Sequence, residues 1–100
     1  MTFEPTPLAG VFLLTPRVFG DERGFFLENW SAATFSEAGF DLTFVQDNHS
    51  RSAGGILRGM HYQTEHTQGK LVRATSGSVF VAVVDLRRSS STLGQWYGVT

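Results

Sequence analysis

The chain has 100 residues, enough for one domain with a modest hydrophobic core, because a domain of this size buries only about two-thirds of its unfolded surface. Hydrophobic residues make up 41% and aromatic residues 13%, which indicates an ordered globular protein rather than a disordered segment. The net charge of -1 excludes the broad basic field that binds a nucleic-acid duplex or an anionic membrane, and the lack of cysteine excludes disulfides, thiolate metal sites and thiol catalysis.

The N-terminal segment has neither a basic region nor an apolar run long enough for a signal peptide or a membrane span, so we expect a cytoplasmic protein. Pro5, Pro7 and Gly10 exclude a long helix in this segment. Residues 11–14 are β-prone and are followed by Pro16, which predicts an edge strand or arm.

One helix is predicted, near residues 31–38. Residues 17–24 have the composition of a turn around two glycines, and the aromatic-rich residues 25–30 predict a strand. Ser31 is a suitable N-cap, and Gly39 a suitable C-terminal stop, for a helix of about two turns between them.

The second half of the chain predicts strands separated by Gly, Ser or Asn turns, at the spacing of a β-sandwich or barrel. The predicted strands are residues 42–50, 56–63, 70–75, 78–86 and 95–100. Residues 79–86 are apolar on both faces as far as Asp85, which predicts a central strand covered on both sides. The last strand pattern has no terminating turn, so we expect residues 1–100 to form a single, incomplete domain of a mostly β protein.

Polar side chains concentrate in residues 46–70, where His61 is the first candidate for catalysis. A lone histidine in a β domain is commonly structural, with its ring donating to a backbone carbonyl. Several polar or cationic residues lie close to it in sequence: Arg58, Tyr62, Gln63, Gln68 and Lys70. A neutral imidazole beside fixed cations favours the alternative, a general base in a polar pocket.

Arg58 and His61 point to opposite faces of a regular strand, because side chains alternate along it. A β-bulge at Gly59 would bring both side chains onto one face. The alternative is a surface salt bridge made by Arg58 on the other face.

Several other polar residues have a structural and a functional interpretation. Gln46 and Asn48 belong to a turn-like run but share one face, so they could line the same pocket. Arg23 is either a turn charge or an anion clamp, and Lys70 is either solvated or aimed at an enolate oxygen. Asp85 is expected to be a turn or salt-bridge residue beside the two arginines that follow Leu86.

The spacing of His49, His61 and His66 does not fit a metal site. No His-x-His pair places two ligands on one strand face, and no glutamate stands where a third ligand would be expected. We therefore expect no bound metal.

Five segments together resemble the dTDP-4-dehydrorhamnose 3,5-epimerase family, in the same order and at the same spacing. They are residues 21–28 (DERGFFLE), 46–50 (QDNHS), 57–63 (LRGMHYQ), 68–73 (QGKLVR) and 84–87 (VDLR). The resemblance covers essentially the whole chain and implies the N-terminal part of a cupin-type jelly-roll β-barrel. It also implies a homodimer in which N-terminal strands pair with the partner's sheet, and a dTDP-linked 4-keto-6-deoxy sugar as the molecule bound, without metal or cofactor.

The resemblance also implies a role for each matched residue. His61 corresponds to the base that removes the protons at C3 and C5 of the sugar, and Lys70 to the group near the enolate oxygen. The residues that correspond to nucleotide- and sugar-binding positions are Arg23, Glu28, Gln46, Asp47, Asn48 and Arg58. The implied reaction converts dTDP-4-dehydro-6-deoxy-glucose to dTDP-4-dehydro-rhamnose in dTDP-L-rhamnose biosynthesis.

Two departures from the family pattern leave alternatives open. The family's proton-donating tyrosine, an aspartate that orients the histidine and a second substrate-binding histidine come from the second half of its chain, and Tyr62 and Tyr97 do not match that tyrosine's motif. Val81 stands where the family commonly has an acidic partner for the lysine. The alternatives are a non-catalytic sugar-nucleotide-binding or assembly module and an epimerase that acts on a single carbon.

Overall fold

The computed structural model describes all 100 residues, which form six short strands and one helix. The elements are β1 (Thr2–Pro5), β2 (Phe12–Thr15), β3 (Val18–Asp21), β4 (Gly24–Leu27), α1 (Ala32–Glu37), β5 (Val81–Val84) and β6 (Trp96–Val99). They pair as three antiparallel hairpins, β1 with β2, β3 with β4 and β5 with β6. The chain divides into two units, described separately below: Met1–Thr43 with Val79–Thr100, which holds all the helices and strands, and Phe44–Ser78.

The N-terminal hairpin pairs Thr2 with Thr15 at one end and Pro5 with Phe12 at the other. Strand β2 confirms the β run predicted at residues 11–14, shifted by one residue. Strand β1 has no counterpart in the sequence prediction. Pro5 fits there because it is the last residue of the strand, where a missing N–H interrupts no central ladder.

A side-chain hydrogen bond closes the turn between β1 and β2. The Thr6 hydroxyl donates to the carbonyl of Val11 at 3.0 Å, and its oxygen accepts the N–H of Leu8 at 3.2 Å. This turn buries Leu8, which is only 2% exposed.

Helix α1 has the predicted position and the predicted caps. Ser31 has an extended backbone, and its hydroxyl oxygen accepts a first-turn N–H at 3.1 Å. At the other end Gly39 has φ +90°, its N–H donates to Ser36, and the N–H of Phe40 donates to the carbonyl of Phe35 at 2.8 Å, as in a Schellman motif. Helix α1, at six residues, is far too short to span a membrane, and it is the one helix of the chain.

The core of the unit Met1–Thr43 with Val79–Thr100 is aromatic and centres on Phe35, which is 3% exposed. Phe3 from β1 meets Phe35 edge-on, with ring centroids 5.2 Å apart, and stacks on Phe40 at 5.4 Å. Phe12 from β2 meets Phe40 edge-on at 4.8 Å. Such ring pairs contribute about 0.5–1.5 kcal/mol each beyond the free energy of burying their area. These ring contacts pack the first hairpin against helix α1 and the residues that follow it.

The second hairpin corrects one prediction. Residues 17–24 are predicted as a turn, but β3 occupies residues 18–21 and pairs Phe19 with Phe26 and Asp21 with Gly24. The turn itself is confined to Glu22 and Arg23. Gly20 lies within β3 opposite Phe25, where cross-strand pairing with an aromatic residue overrides the turn preference of glycine.

The third hairpin is stabilised by Asp85, which directly follows β5 at the start of the loop and whose side chain is almost fully buried. Its carboxylate accepts from the Arg87 guanidinium at 2.9 and 3.0 Å, and from the hydroxyls of Ser90 and Thr92. Its backbone N–H donates to the carbonyl of Gln95 at 2.9 Å. The predicted salt-bridge role of Asp85 is confirmed, and the partner is the arginine two residues on.

The prediction of a central strand covered on both faces is wrong for this chain. Strand β5 covers only residues 81–84 and pairs with β6 alone. Val79 and Phe80 lie before the strand and are 50% and 60% exposed. Apolar residue types on both faces of a segment favour burial but do not supply the neighbouring layers that produce it. The predicted last strand is confirmed as β6.

The unit Phe44–Ser78 contains no helix or strand, so the strands predicted at residues 42–50, 56–63 and 70–75 are wrong for this chain. A β-strand is stable when its backbone N–H and carbonyl groups pair with a neighbouring strand, and these segments have none beside them. Their apolar side chains are exposed, with Val45 at 90% and Leu57 at 93%. The predicted glycine turn is present at Gly54 and Gly55.

Candidate active site

His61 and Lys70, the two predicted catalytic residues, line the same open depression. Its cavity volume is about 270 Å³. The residues around it are His61, Tyr62, Gln63, Thr67, Gln68 and Lys70. The structure therefore brings the imidazole and the ammonium group to one cavity even though no regular strand carries either of them.

The chain between His61 and Lys70 returns through a bend at residues 64–66. His66 adopts φ +50°, a left-handed conformation that histidine tolerates better than most residues. The side-chain oxygen of Gln63 accepts the N–H of Gln68 at 3.2 Å and closes the bend. The Gln63 amide thus fixes the turn that places Lys70 beside the cavity of His61.

This pair of groups suits the removal of a proton next to a carbonyl. An imidazole can accept the proton as a general base, and an ammonium group can stabilise the oxyanion that forms. Both side chains are exposed in the chain, so bound substrate would have to displace water for the electrostatic effect of Lys70 to be strong. No group of three His, Asp or Glu side chains is arranged to hold a metal ion.

Gln46 and Asn48 lie side by side, as their shared face predicts. The amide nitrogen of Gln46 donates to the side-chain oxygen of Asn48 at 3.1 Å. Asp47 lies between them in sequence, and all three residues are exposed. They form a separate polar surface within the same unit and do not belong to the lining of the His61 depression.

Arg58 does not form the surface salt bridge that was one of the two predictions for it. Its Nη2 donates to the backbone carbonyl of Arg51 at 3.1 Å. Gly59 has φ +117°, a conformation that favours glycine, but no strand is present in which it could form the predicted bulge. Arg58 does not line the depression that holds His61.

Arg23 lies in the β3–β4 turn and pairs with Asp21. Its Nη2 lies 2.6 Å from one carboxylate oxygen, and its side chain is 86% exposed. The hydrogen bonds from Arg23 hold the pKa of the Asp21 carboxyl below its usual range, and the same pair raises the pKa of the guanidinium. The arginine is thus a fixed cation at the tip of a hairpin.

Glu28 follows β4 and is held by the first turn of helix α1. Its Oε1 accepts the hydroxyl of Thr34 at 2.8 Å, and that hydroxyl oxygen in turn accepts from Ser31 at 2.9 Å. Sequence reasoning singled out Glu28 but missed Thr34 and Asp21. The available signals were the Asp-x-Arg spacing inside a hairpin turn and the hydroxyl residue three positions after an N-cap.

Comparison with known proteins supports the resemblance at the level of sequence. The family model described as dTDP-4-dehydrorhamnose 3,5-epimerase matches residues 5–100. The chain is 63% identical over 89 residues to a dTDP-4-dehydrorhamnose 3,5-epimerase of Pseudomonas aeruginosa, an overlap of 88% of this chain and 49% of that protein. It is 50% identical over 97 residues to one of Methanothermobacter thermautotrophicus, covering 97% of this chain and 52% of that protein.

A solved structure extends the comparison to the fold. The crystal structure of dTDP-4-dehydrorhamnose 3,5-epimerase from Elizabethkingia anophelis NUHP1 matches with a TM-score of 0.87 and 44% identity, over 99% of this chain and 55% of that chain. The fold class is therefore mostly β with one short helix, part of a cupin-type jelly-roll barrel. The chain belongs to the dTDP-4-dehydrorhamnose 3,5-epimerase family, and it spans about half the length of the curated relatives it matches.

Proposed function

We propose that the protein containing this chain is an isomerase that epimerises C3 and C5 of dTDP-4-dehydro-6-deoxy-glucose, giving dTDP-4-dehydro-rhamnose in dTDP-L-rhamnose biosynthesis. The observation that carries the proposal is the shared cavity of His61 and Lys70 in a member of this family. A base and a cation beside one cavity are the groups that deprotonation next to a ketone requires.

His61 takes the proton from C3 of the sugar in the proposed mechanism. The electron pair of the C3–H bond forms a double bond to C4, and the π pair of the C4 carbonyl moves to its oxygen as an enolate. The Lys70 ammonium group stabilises that oxygen. A second acid returns a proton to the opposite face of C3 and restores the ketone with inverted configuration; in this family that acid is a tyrosine from the second half of the chain, and neither Tyr62 nor Tyr97 takes its place. His61 gives up its proton to solvent, and the same steps at C5 complete the reaction.

The binding roles fall to the polar residues outside the depression. Arg23 and Arg58 are forked cations suited to the two phosphates of the nucleotide. Glu28 and the three residues Gln46, Asp47 and Asn48 supply acceptors and amides for the sugar and the base. The proposal includes a cytoplasmic homodimer with exchanged N-terminal strands that works without a metal or cofactor.

Hydrogen exchange from solvent tests the function directly. The protein is incubated with dTDP-4-keto-6-deoxyglucose in deuterated water, and deuterium incorporation at C3 and C5 is followed by NMR. We expect incorporation at both carbons. The His61→Ala variant should lose it by roughly 10²- to 10⁴-fold, the usual effect of removing a general base.

The matched control is His66→Asn, which removes the neighbouring histidine but keeps a residue that tolerates φ +50°. It should exchange at the wild-type rate. Exchange at one carbon alone would indicate a single-carbon epimerase, and retained binding without exchange would indicate a non-catalytic module. A wild-type rate in His61→Ala would refute the assignment of the base.

A further inference from the structure

The Asp21 carboxylate makes two kinds of contact with Arg23 at the tip of the β3–β4 hairpin. Asp21 pairs with Gly24 across the hairpin, so Glu22 and Arg23 form the whole loop. Asp21 Oδ1 accepts the backbone N–H of Arg23 at 2.8 Å, and both carboxylate oxygens accept from its guanidinium. One carboxylate therefore fixes both the turn and the direction of the side chain that it presents.

The contact uses only one edge of the guanidinium. Arg23 Nε lies 3.1 and 3.3 Å from the two oxygens, and Nη2 lies 2.6 Å from Oδ2. A guanidinium carries five N–H donors in a rigid fork, and the end that presents Nη1 and the second Nη2 hydrogen points away from a carboxylate bound at the Nε edge. That end is a second fork of the geometry that a phosphate accepts.

We propose that Asp21 is a positioning residue that holds Arg23 with its free fork ready for a phosphate of the bound nucleotide. The inference rests on the proposed function, which assigns nucleotide binding to Arg23. Asp21 does not touch the substrate and acts through the arginine.

Positioning accounts for the pair better than stability does. An ion pair between side chains that are 86% and 50% exposed contributes little to folding, because water screens it and both side chains lose freedom. For binding an anion, the conformational freedom that Arg23 has already lost by pairing with Asp21 is an advantage. An arginine that is already ordered has less rotamer freedom to lose when an anion arrives, so its affinity for the anion is higher.

The variant Asp21→Asn separates the two contacts. Asparagine keeps the oxygen that accepts the Arg23 N–H and so preserves the turn, but it lacks the charge and the second acceptor. Glu22→Gln is the matched control, since it removes one negative charge from the same two-residue loop and leaves the Asp21–Arg23 pair intact. Any general gain in affinity from removing a negative charge near the phosphates appears in both variants.

We expect KM to rise about three- to tenfold in Asp21→Asn, with kcat changed less than about twofold, because an unordered arginine costs affinity and not chemistry. The affinity for dTDP, measured by calorimetry, should fall by the same factor. Glu22→Gln should show neither effect. In an Arg23→Ala background, Asp21→Asn should have no further effect, as a shared path through the arginine requires.

The outcomes separate this inference from the proposed function. If the wild type catalyses exchange and Asp21→Asn matches Glu22→Gln in KM and dTDP affinity, the positioning role is wrong and the function stands. If the wild type binds dTDP in an Asp21-dependent way without catalysing exchange, the function is wrong and the positioning role stands. Absence of dTDP binding in the wild type would overturn both.

Discussion

Asp85 shows how one residue can carry a pH dependence. The hydrogen bonds from Arg87, Ser90 and Thr92 hold the pKa of its carboxyl far below the ordinary value. A carboxyl whose pKa is lower in the folded than in the unfolded state stabilises the fold above its unfolded pKa, which is about 3.9, and loses that contribution as the pH falls further. The stabilisation by Asp85 is thus fully present at neutral pH and declines only in acid.

The variant Asp85→Asn should therefore be less stable than the wild type at pH 7, and the difference should shrink as the pH falls from about 4 to 2. Asparagine also leaves the partner hydroxyls and the guanidinium without a charged acceptor. Urea unfolding across this pH range measures the effect. Glu37→Gln, a change at an exposed residue of α1, serves as the control and should show no such convergence. A constant difference between Asp85→Asn and wild type at every pH would contradict the assignment.

At the scale of single residues, the sequence predicts a contact when both partners lie within a few positions. The salt bridge of Asp85 could be predicted because the arginines follow it directly, and the pairing of Gln46 with Asn48 because alternate residues share a face. The hydroxyls of Ser90 and Thr92 were not foreseen, since they reach Asp85 only through the path of the loop. The common cavity of His61 and Lys70 likewise depends on a bend that residue type does not specify.

Among the elements, helix α1 is the best predicted because its signals are local. Ser31 and Gly39 specify its two ends by side-chain and backbone conformation alone, whatever lies around the helix. The strands of the three hairpins were predicted in part: β2, β4, β5 and β6 overlap predicted strands, whereas β1 and β3 do not. The strands expected in residues 44–78 would need partners that are distant in sequence, and propensity alone does not create them.

Ser31→Ala tests the contribution of the N-cap to this element. Loss of the hydroxyl leaves the Thr34 N–H without its acceptor and should lower the free energy of unfolding by about 1 kcal/mol. Ser36→Ala is the control, because Ser36 lies in the same helix but bonds the exposed Asp41 side chain and should change stability by less than about 0.5 kcal/mol. Thermal and urea unfolding would measure both, and equal effects of the two changes would argue against the cap.

On the scale of the molecule, the described core is small and aromatic. Only Leu8 and Phe35 are buried among the apolar residues, while Phe25 and Phe26 are 75% and 70% exposed. The chain spans about half the length of its curated relatives. The composition indicates an ordered globular protein, but it does not show which of the nine phenylalanines pack together.

Phe35→Ala should be the most damaging single change of those considered, because it removes the ring on which the helix and the first hairpin meet. We expect a loss of about 3–5 kcal/mol in the free energy of unfolding, the usual range for a buried phenylalanine. Phe25→Ala should cost less than about 0.5 kcal/mol, as an exposed ring. If Phe35→Ala does not fold, Phe35→Leu keeps part of the volume and should still be less stable than Phe25→Ala by urea unfolding. The reverse order would contradict the described core.

The hydrogen bonds of Asp85 make the β5–β6 hairpin tolerant of changes in the length of its loop. Asp85, at the start of the loop, is hydrogen-bonded to Gln95 and Thr92 near its end. The pairing of Val84 with Trp96 is therefore set where the loop begins and ends, and it does not depend on the number of residues between. The entropy of closing a loop grows only slowly with length, and the tip at Arg88 and Ser89 is exposed. Changes of sequence or length at this tip should therefore leave the register of β5 and β6 unchanged.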